Sequence, residues 1–221
     1  MELTDAIKSR RSIRGFKPDA VPKEIIDKVL DTARFSPSGV NAQPWEFLVL
    51  TGKSLEKLKS IGVTNTLSGI TPDNIEERYT GVYRERQVVL GREMFRILGI
   101  EREDRKRRQE WVLNGMRFFG APMVILICVE NEYYINREHI ASVDIGIVTY
   151  AITLAALEYE LGTCIQFQGI IYPKEVKEAL NISETKRLAS CIAIGYPDLT
   201  APINNLRSQR ESLDKMTTYL N

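Results

Sequence analysis

The sequence predicts an α+β fold in which helices outnumber strands. The continuous apolar run Ala121–Val129 has the length and composition of a strand buried on both faces, and Leu188–Ile194 reads as a second buried strand. Helical stretches surround them without the strict strand–helix alternation of a parallel sheet. A chain of 221 residues, 43% hydrophobic and 27% charged, suits one globular domain. No internal repeat or low-complexity linker divides it, so residues 1–221 are read as a single domain with a helical insertion around 62–120.

In chain order, Thr4 is placed to cap a short helix carrying Leu3, Ile7 and the stem of Arg10, with Ser12 near its C-terminal end. Pro22 opens a second helix whose Ile25, Ile26, Val29, Leu30 and Ala33 share one face. The loop Ser36–Pro44 follows, then a strand Trp45–Leu50 closed by Thr51-Gly52. Ser54 is expected to cap a helix over Leu55, Leu58 and Ile61, and residues 62–72 read as turns. From Asp73 to about Arg117 the chain reads as helical, broken near Gly99. Within it, Glu101–Arg108 has the charge pattern of a solvated helix face. Tyr79, Tyr83, Phe95, Trp111, Phe118 and Phe119 punctuate this region, and both core packing and the covering of a planar ligand would use them.

Beyond the Ala121 strand, His139 reads as a helix-start residue. Ser142–Leu161 is a helix apolar nearly all round, interrupted by Asp144 and Glu158. Such a helix must lie centrally or against another subunit. Gly162–Phe167 reads as a strand entering a turn at Gly169, Lys174–Leu180 as a short helix, and Leu188–Ile194 as the last strand. A polar tail with Arg207 and Arg210 follows Gly195-Tyr196-Pro197.

Charge and composition exclude several classes. With 30 basic against 29 acidic side chains there is no global field to recruit nucleic acid or an anionic membrane. The opening Met1-Glu2-Leu3-Thr4-Asp5 carries acid where a signal peptide carries base, and the longest uncharged apolar stretch, Ile145–Leu157, is too short for a bilayer span. A cytoplasmic protein is expected. Cys128, Cys164 and Cys191 each sit in an apolar run without C-x-x-C spacing, which points to reduced, buried thiols. One histidine and no Cys/His cluster argue against zinc and against a triad. No two glycines lie two apart, which rules out the G-x-G-x-x-G dinucleotide fingerprint. Gly52-Lys53-Ser54 ends like a phosphate loop, but Phe47 stands where its first glycine belongs.

Two runs carry chemistry. Arg10-Arg11-Ser12-Ile13-Arg14-Gly15-Phe16 concentrates three guanidinium groups and a hydroxyl, which suits a phosphate and the electron-rich edge of a ring. A basic helix end favoured by the macrodipole is the competing explanation. Ser36-Pro37-Ser38-Gly39-Val40-Asn41-Ala42-Gln43-Pro44-Trp45-Glu46-Phe47 alternates uncharged donors and acceptors with loop formers, and a capped turn alone would explain it.

Found together and in this order, the two runs resemble the FMN-dependent nitroreductase family. The resemblance extends to the apolar helix led by Asp144-Ile145-Gly146, to Leu161-Gly162-Thr163, to Gln168-Gly169, to Ile194-Gly195-Tyr196-Pro197, and to the tail Arg210-Glu211-Ser212-Leu213. It implies a nitroreductase-like fold, a central, mostly antiparallel mixed sheet flanked by helices, in a homodimer with a domain-swapped C-terminal tail and one FMN in each of two interface sites. By the same resemblance Arg10, Ser12 and Arg210 hold the phosphate and ribityl chain, with Arg207 as a further phosphate contact. Arg11 acts mainly through its backbone, and Arg14 reaches the pyrimidine end of the ring. Pro37 and Ser38 of the partner chain lie against the ring, with Asn41 and Gln43 lining the site. Gln168 and Gly169 direct backbone N–H groups to N5 and O4.

The implied activity is hydride transfer from NADPH or NADH through flavin N5 to a nitroaromatic or quinone acceptor, in a ping-pong cycle without a catalytic side chain. A fixed cation beside N1 and O2 stabilises the reduced ring, and Arg14 is the residue expected there. Reductive dehalogenation, as in iodotyrosine deiodinase relatives, is the alternative on this fold. It would draw on the segment with Glu76, Glu77, Tyr79 and Tyr83, and no matching Glu-Tyr-Lys trio aligns. A flavin-binding protein without turnover is a third reading. The arginine-rich cover is compatible with a carboxylated aromatic substrate and equally with solvated arginines.

Overall fold

A computed structural model describes residues 2–74 and 77–220. Four strands, β1 (Glu46–Leu50), β2 (Met123–Glu130), β3 (Gly162–Ile165) and β4 (Lys186–Gly195), form one sheet in the order β1-β2-β4-β3. All three pairings are antiparallel, so the parallel component of the expected mixed sheet is confined to an isolated bridge between Ser12 and Thr163.

The central strand β2 is buried from Met123 to Val129, as its uninterrupted apolar run predicts. Its side chains alternate between two cores. Val124, Leu126 and Cys128 pack with Leu55, Leu58 and Val176, whereas Met123, Ile125, Ile127 and Val129 pack with Val29, Val148 and Ile152. Helices α2 (Lys23–Ala33) and α7 (Glu138–Ala155) therefore cover one face, and α3 (Gly52–Leu67), α5 (Arg105–Met116) and α8 (Pro173–Leu180) the other.

Several local expectations change. The first helix, α1, spans Leu3–Ser9 with Glu2 at its N-cap, so Thr4 lies inside it. Ser12 lies beyond it, because the backbone around Ser12 is drawn into pairing with β3. Thr51, not Ser54, precedes α3, and α3 runs on through the stretch expected to be turns. The reason is burial: Gly62 and Asn65 continue its inner face, and Asn65 Nδ2 donates to Glu175 of α8 at 2.7 Å. Asp73 and Asn74 are not helical; their N–H groups donate to the Ile171 carbonyl instead. The next helix, α4, begins only at Gly81 and runs to Leu98, where Gly99 (φ 59°) ends it in the left-handed conformation. A short α6 (Asn131–Asn136) was not anticipated.

His139 is the second residue of α7, and the helix begins ahead of the expected Ser142. With the turn that follows, Glu138–Tyr159 is long and apolar enough, by length and composition alone, to cross a bilayer, which the shorter stretch Ile145–Leu157 was not expected to do. One face of α7 (Ala141, Ile145, Val148, Ile152) is committed to the core.

Candidate functional site

The Arg10–Phe16 run folds as an extended segment along the free edge of β3. Ile13 donates its N–H to Thr163 O at 2.9 Å, and Lys17 its N–H to Tyr196 O at 2.9 Å. This approach requires Gly162, since a Cβ there would stand 2.6 Å from Ile13 Cγ1 and 2.8 Å from Pro197 Cγ. With Ile13 and Phe16 turned into the core, Arg10, Arg11, Ser12 and Arg14 are left half-buried at the surface.

Asn204 organises them from the far end of the chain. Only 3% exposed, it accepts the Arg14 N–H, donates from Nδ2 to the Gly15 and Asp198 carbonyls, and offers its own carbonyl to Arg11 Nε and Arg207 Nη1, both at 3.0 Å. The Arg11 side chain is thus tied to Asn204 within its own chain. Burial first, and then the adjacent Arg207, pushes the Arg11 guanidinium below its usual pKa. Arg14, Ser12 and Arg10 also gather around Cys164; burial raises that thiol's pKa against their pull. Arg210 is exposed and bonds only within Ser208–Gln209. None of Arg10, Arg11, Arg14, Arg207 or Arg210 has a carboxylate partner among the described residues.

Gln168 and Gly169 lie in a helical turn after β3 (Phe167–Ile170), packed on β4. Gln168 is exposed. Gly169 is buried with its backbone against the Cys191 thiol, and a side chain there would run into Cys191 and Phe118. Beside them Gln166 Nε2 donates to the Gly115 carbonyl at 3.1 Å, joining this turn to the end of α5. The structure does not bring Pro37, Ser38, Asn41 and Gln43 to the arginine cluster of their own chain. They form a separate, mostly exposed loop that folds on itself and is tied to α7 by Gly39 N–H donating to Asp144 Oδ1 at 3.0 Å.

Asn204 and the Asp144 contact to Gly39 were missed from sequence. A lone asparagine in Pro202-Ile203-Asn204-Asn205 carries no pattern, and Asp144 registered only as a polar break in an apolar helix.

Fold and site together define an α+β protein that gathers unpaired cations at the free edge of a buried antiparallel sheet. The chain belongs to the nitroreductase family, whose model matches residues 7–196. It is 32% identical over 216 residues to the nitroreductase NfnB of Mycolicibacterium smegmatis, covering 96% of this chain and 90% of that one. It is 27% identical to a 4-nitrobenzoate reductase of Pseudomonas putida, covering 99% and 97%. The solved structure of the FMN-dependent nitroreductase NfnB from Mycobacterium smegmatis in complex with NADPH superposes with a TM-score of 0.90 at 30% identity, covering 99% of this chain and 97% of that one.

Proposed function

We propose that this chain is an FMN-dependent oxidoreductase that uses NAD(P)H to reduce a nitroaromatic acceptor, with a quinone as a further acceptor class. The observation that carries the reading is the cluster of Arg10, Arg11, Arg14 and Arg207 beside the Ser12 hydroxyl, the last three arginines held by Asn204, with no carboxylate among the described residues to balance it. The residues fit FMN. A phosphate matches the unpaired guanidiniums in charge and geometry, and Arg14, fixed through its own backbone N–H, is the cation for the pyrimidine edge. The names of the similar proteins, which include nitro reduction, FMN and NADPH, support the same reading.

When bound, FMN would supply the two-electron carrier, accepting and giving hydride at N5. The chain's own part is to hold and tune. Arg10, Arg207 and Arg210 would neutralise the phosphate and the Ser12 hydroxyl would donate to it, Arg11 braces the cluster through Asn204 O, and Arg14 would stabilise charge at the N1–O2 edge. Exposed Gln168 would offer its backbone to the N5–O4 side, whereas Gly169, expected there too, is buried with its N–H turned to the Cys191 thiol. No nucleophile is needed, and the three thiols are unsuited to act as one: burial raises the pKa of each. With no side chain here to carry electrons, donor and acceptor would have to be served by the flavin in turn, which is the ping-pong cycle we propose.

The site is completed in a homodimer. Besides its buried face, α7 exposes a second apolar stripe with Ile140 (48%), Val143 (61%) and Tyr150 (37%). The tail exposes Leu213, Met216, Tyr219 and Leu220, and a groove of about 400 Å³ lined by Phe47, Val49, Leu180 and Ile182 runs along the free edge of β1. A swapped tail on that edge and paired α7 helices would bring the loop of Pro37, Ser38, Asn41 and Gln43 to the partner's flavin.

The chain works as one domain, 1–221, with 62–120 as substrate cover. The α4 helix has no buried residue, and a groove of about 720 Å³ beside it is lined by Arg84, Arg92, Arg96, Arg102 and Arg108 against one acid, Glu101, with Arg96 paired to Glu93 and Arg108 stacked over Phe95 at 4.1 Å. That charge favours an acceptor bearing a carboxylate. Dehalogenation draws less support: no Glu-Tyr-Lys trio aligns in this segment, and Tyr79 and Tyr83 are exposed. Glu76 lies outside the described residues. A soluble, cytoplasmic enzyme without nucleic-acid or membrane partners fits the near-neutral charge.

The test is an absorption spectrum of the purified protein followed by anaerobic titration with NADPH and NADH. Flavin bands that bleach and return with a nitroaromatic are expected. A protein that cannot be loaded with FMN would overturn the reading.

A further inference from the structure

One turn of α7 holds the loop that follows α2. Asp144, 2% exposed, accepts the Gly39 N–H on Oδ1 at 3.0 Å, and its Oδ2 is buried without a partner. One turn earlier, Ile140 packs so tightly on the same glycine that a Cβ there would lie 2.6 Å from Ile140 Cγ2. Within the loop, Asn41 and Ala42 donate N–H groups to the Ser38 and Gly39 carbonyls, and Gln43 donates to Ser38 Oγ. Among the described residues, the bond to Asp144 is the one hydrogen bond by which residues 37–43 reach outside the loop.

The loop does not rest in an easy conformation. Val40, Asn41 and Gln43 have φ of 47°, 58° and 46°, and Val40 is β-branched and fully exposed, with no packing of its own to hold it. Such a backbone persists only if its surroundings impose it, and on the α7 side these include the Asp144 carboxyl and Ile140. A buried carboxyl with one oxygen unsatisfied is in turn a cost to stability. Val143 of the same turn lies in the exposed stripe, and Ile140 both flanks that stripe and packs on Gly39.

Resting on the proposed function, we infer that Asp144 is a positioning residue. Its hydrogen bond to Gly39 N–H sets residues 37–43 in the conformation that meets the partner's flavin, so that α7 couples subunit pairing to cofactor binding. The important property is the acceptor oxygen directed at Gly39. An asparagine retains that acceptor and an alanine does not.

The test compares full-length wild type with Asp144→Ala, Asp144→Asn and Gly39→Ala. Three quantities are read: amide exchange of residues 37–43 with and without added FMN, the FMN dissociation constant by fluorescence quenching, and the sedimenting mass. Asp144→Ala is expected to keep the wild-type mass and melting temperature, exchange at least tenfold faster in 37–43, and bind FMN at least tenfold more weakly. Asp144→Asn is expected to stay within threefold of wild type on both. Wild-type exchange and affinity in Asp144→Ala would overturn the inference, as would an Asp144→Asn variant as impaired as the alanine. Should Asp144→Ala fail to fold, Gly39→Ala decides. It forces a Cβ against Ile140 and should show the same loss; unchanged FMN affinity in Gly39→Ala would overturn the inference. A wild-type chain that takes up no FMN defeats the functional reading and with it the flavin role of the loop. Unchanged exchange in Asp144→Ala defeats the tether alone.

Discussion

Asn204 Oδ1 accepts the Arg14 backbone N–H at 2.8 Å, joining two residues 190 positions apart. Through Nδ2 the same side chain reaches the Gly15 carbonyl at 2.7 Å and the Asp198 carbonyl at 2.8 Å, so one buried amide locks the arginine segment to the turn beyond β4. Asn204→Ala removes all three bonds and strands their partners. At about 1 kcal/mol each the loss is roughly 3 kcal/mol. That corresponds to a melting temperature lower by about 6–12 °C for a domain of this size. Thermal denaturation checks it, and a shift under about 2 °C would show that the hub is dispensable.

Arg14 is expected to act on the reaction more than on retention of the cofactor, because its neighbours provide the other unpaired guanidiniums. Arg14→Ala should keep FMN while the stopped-flow rate of flavin bleaching by NADPH falls at least tenfold, about 1.4 kcal/mol in barrier. An unchanged rate would dispose of that role.

The arginine-lined groove beside α4 makes acceptor charge a variable. Replacing Arg92, Arg102 and Arg108 together by glutamine should lower kcat/KM for a nitrobenzoate about tenfold, a loss of about 1.4 kcal/mol. Nitrobenzene, which lacks the carboxylate, should change by no more than about twofold. Equal effects on both substrates would assign the groove a structural role.

The exposed apolar tail should be needed for assembly. Ending the chain after Glu211 removes Leu213, Met216, Tyr219 and Leu220 and, with them, the salt bridge from Lys215 to Glu211. Sedimentation is expected to show a lighter, flavin-poor species. A truncated dimer with full FMN content would contradict the swapped tail.

The thiols give stability a pH dependence. Burial pushes Cys128 from 9.0 up to about 12, and Cys164 and Cys191 are raised as well, so the folded chain holds protons that the unfolded chain releases. The contribution is complete below pH 9 and is lost as pH rises from there towards about 12, at no more than about 1.4 kcal/mol per pH unit for each thiol. Chemical denaturation between pH 8 and 10.5 should show the decline, with a shallower slope in Cys128→Ala. A flat profile would mean that these thiols are not held protonated by the fold.

Much of the architecture was legible because it depends on short-range patterns. An unbroken apolar run such as Ala121–Val129 has few options besides a strand buried on both faces, and β2 divides its side chains between two cores as that demands. Gly99 was readable as a helix end because few residues other than glycine adopt its positive φ easily. Elsewhere local reading misled. The polar stretch after Ile61 looked like turns, yet α3 continues because Asn65 finds Glu175 on α8, a partner 110 residues away.

The candidate site divides in the same way. By itself the sequence determined which groups are available: a dense set of guanidiniums in Arg10–Arg14, a donor-rich loop around Ser38, three thiols in apolar runs and no metal-binding or triad spacing. Residue type alone dictates such chemistry. Tertiary structure decided where those groups face and what holds them. Asn204 gathers Arg11 and Arg14, and Asp144 takes the Gly39 amide, through bonds spanning 105 to 193 positions. No local periodicity encodes such bonds, because a single buried amide or carboxyl acquires its partner only when the packed sheet brings distant backbone within about 3 Å of it.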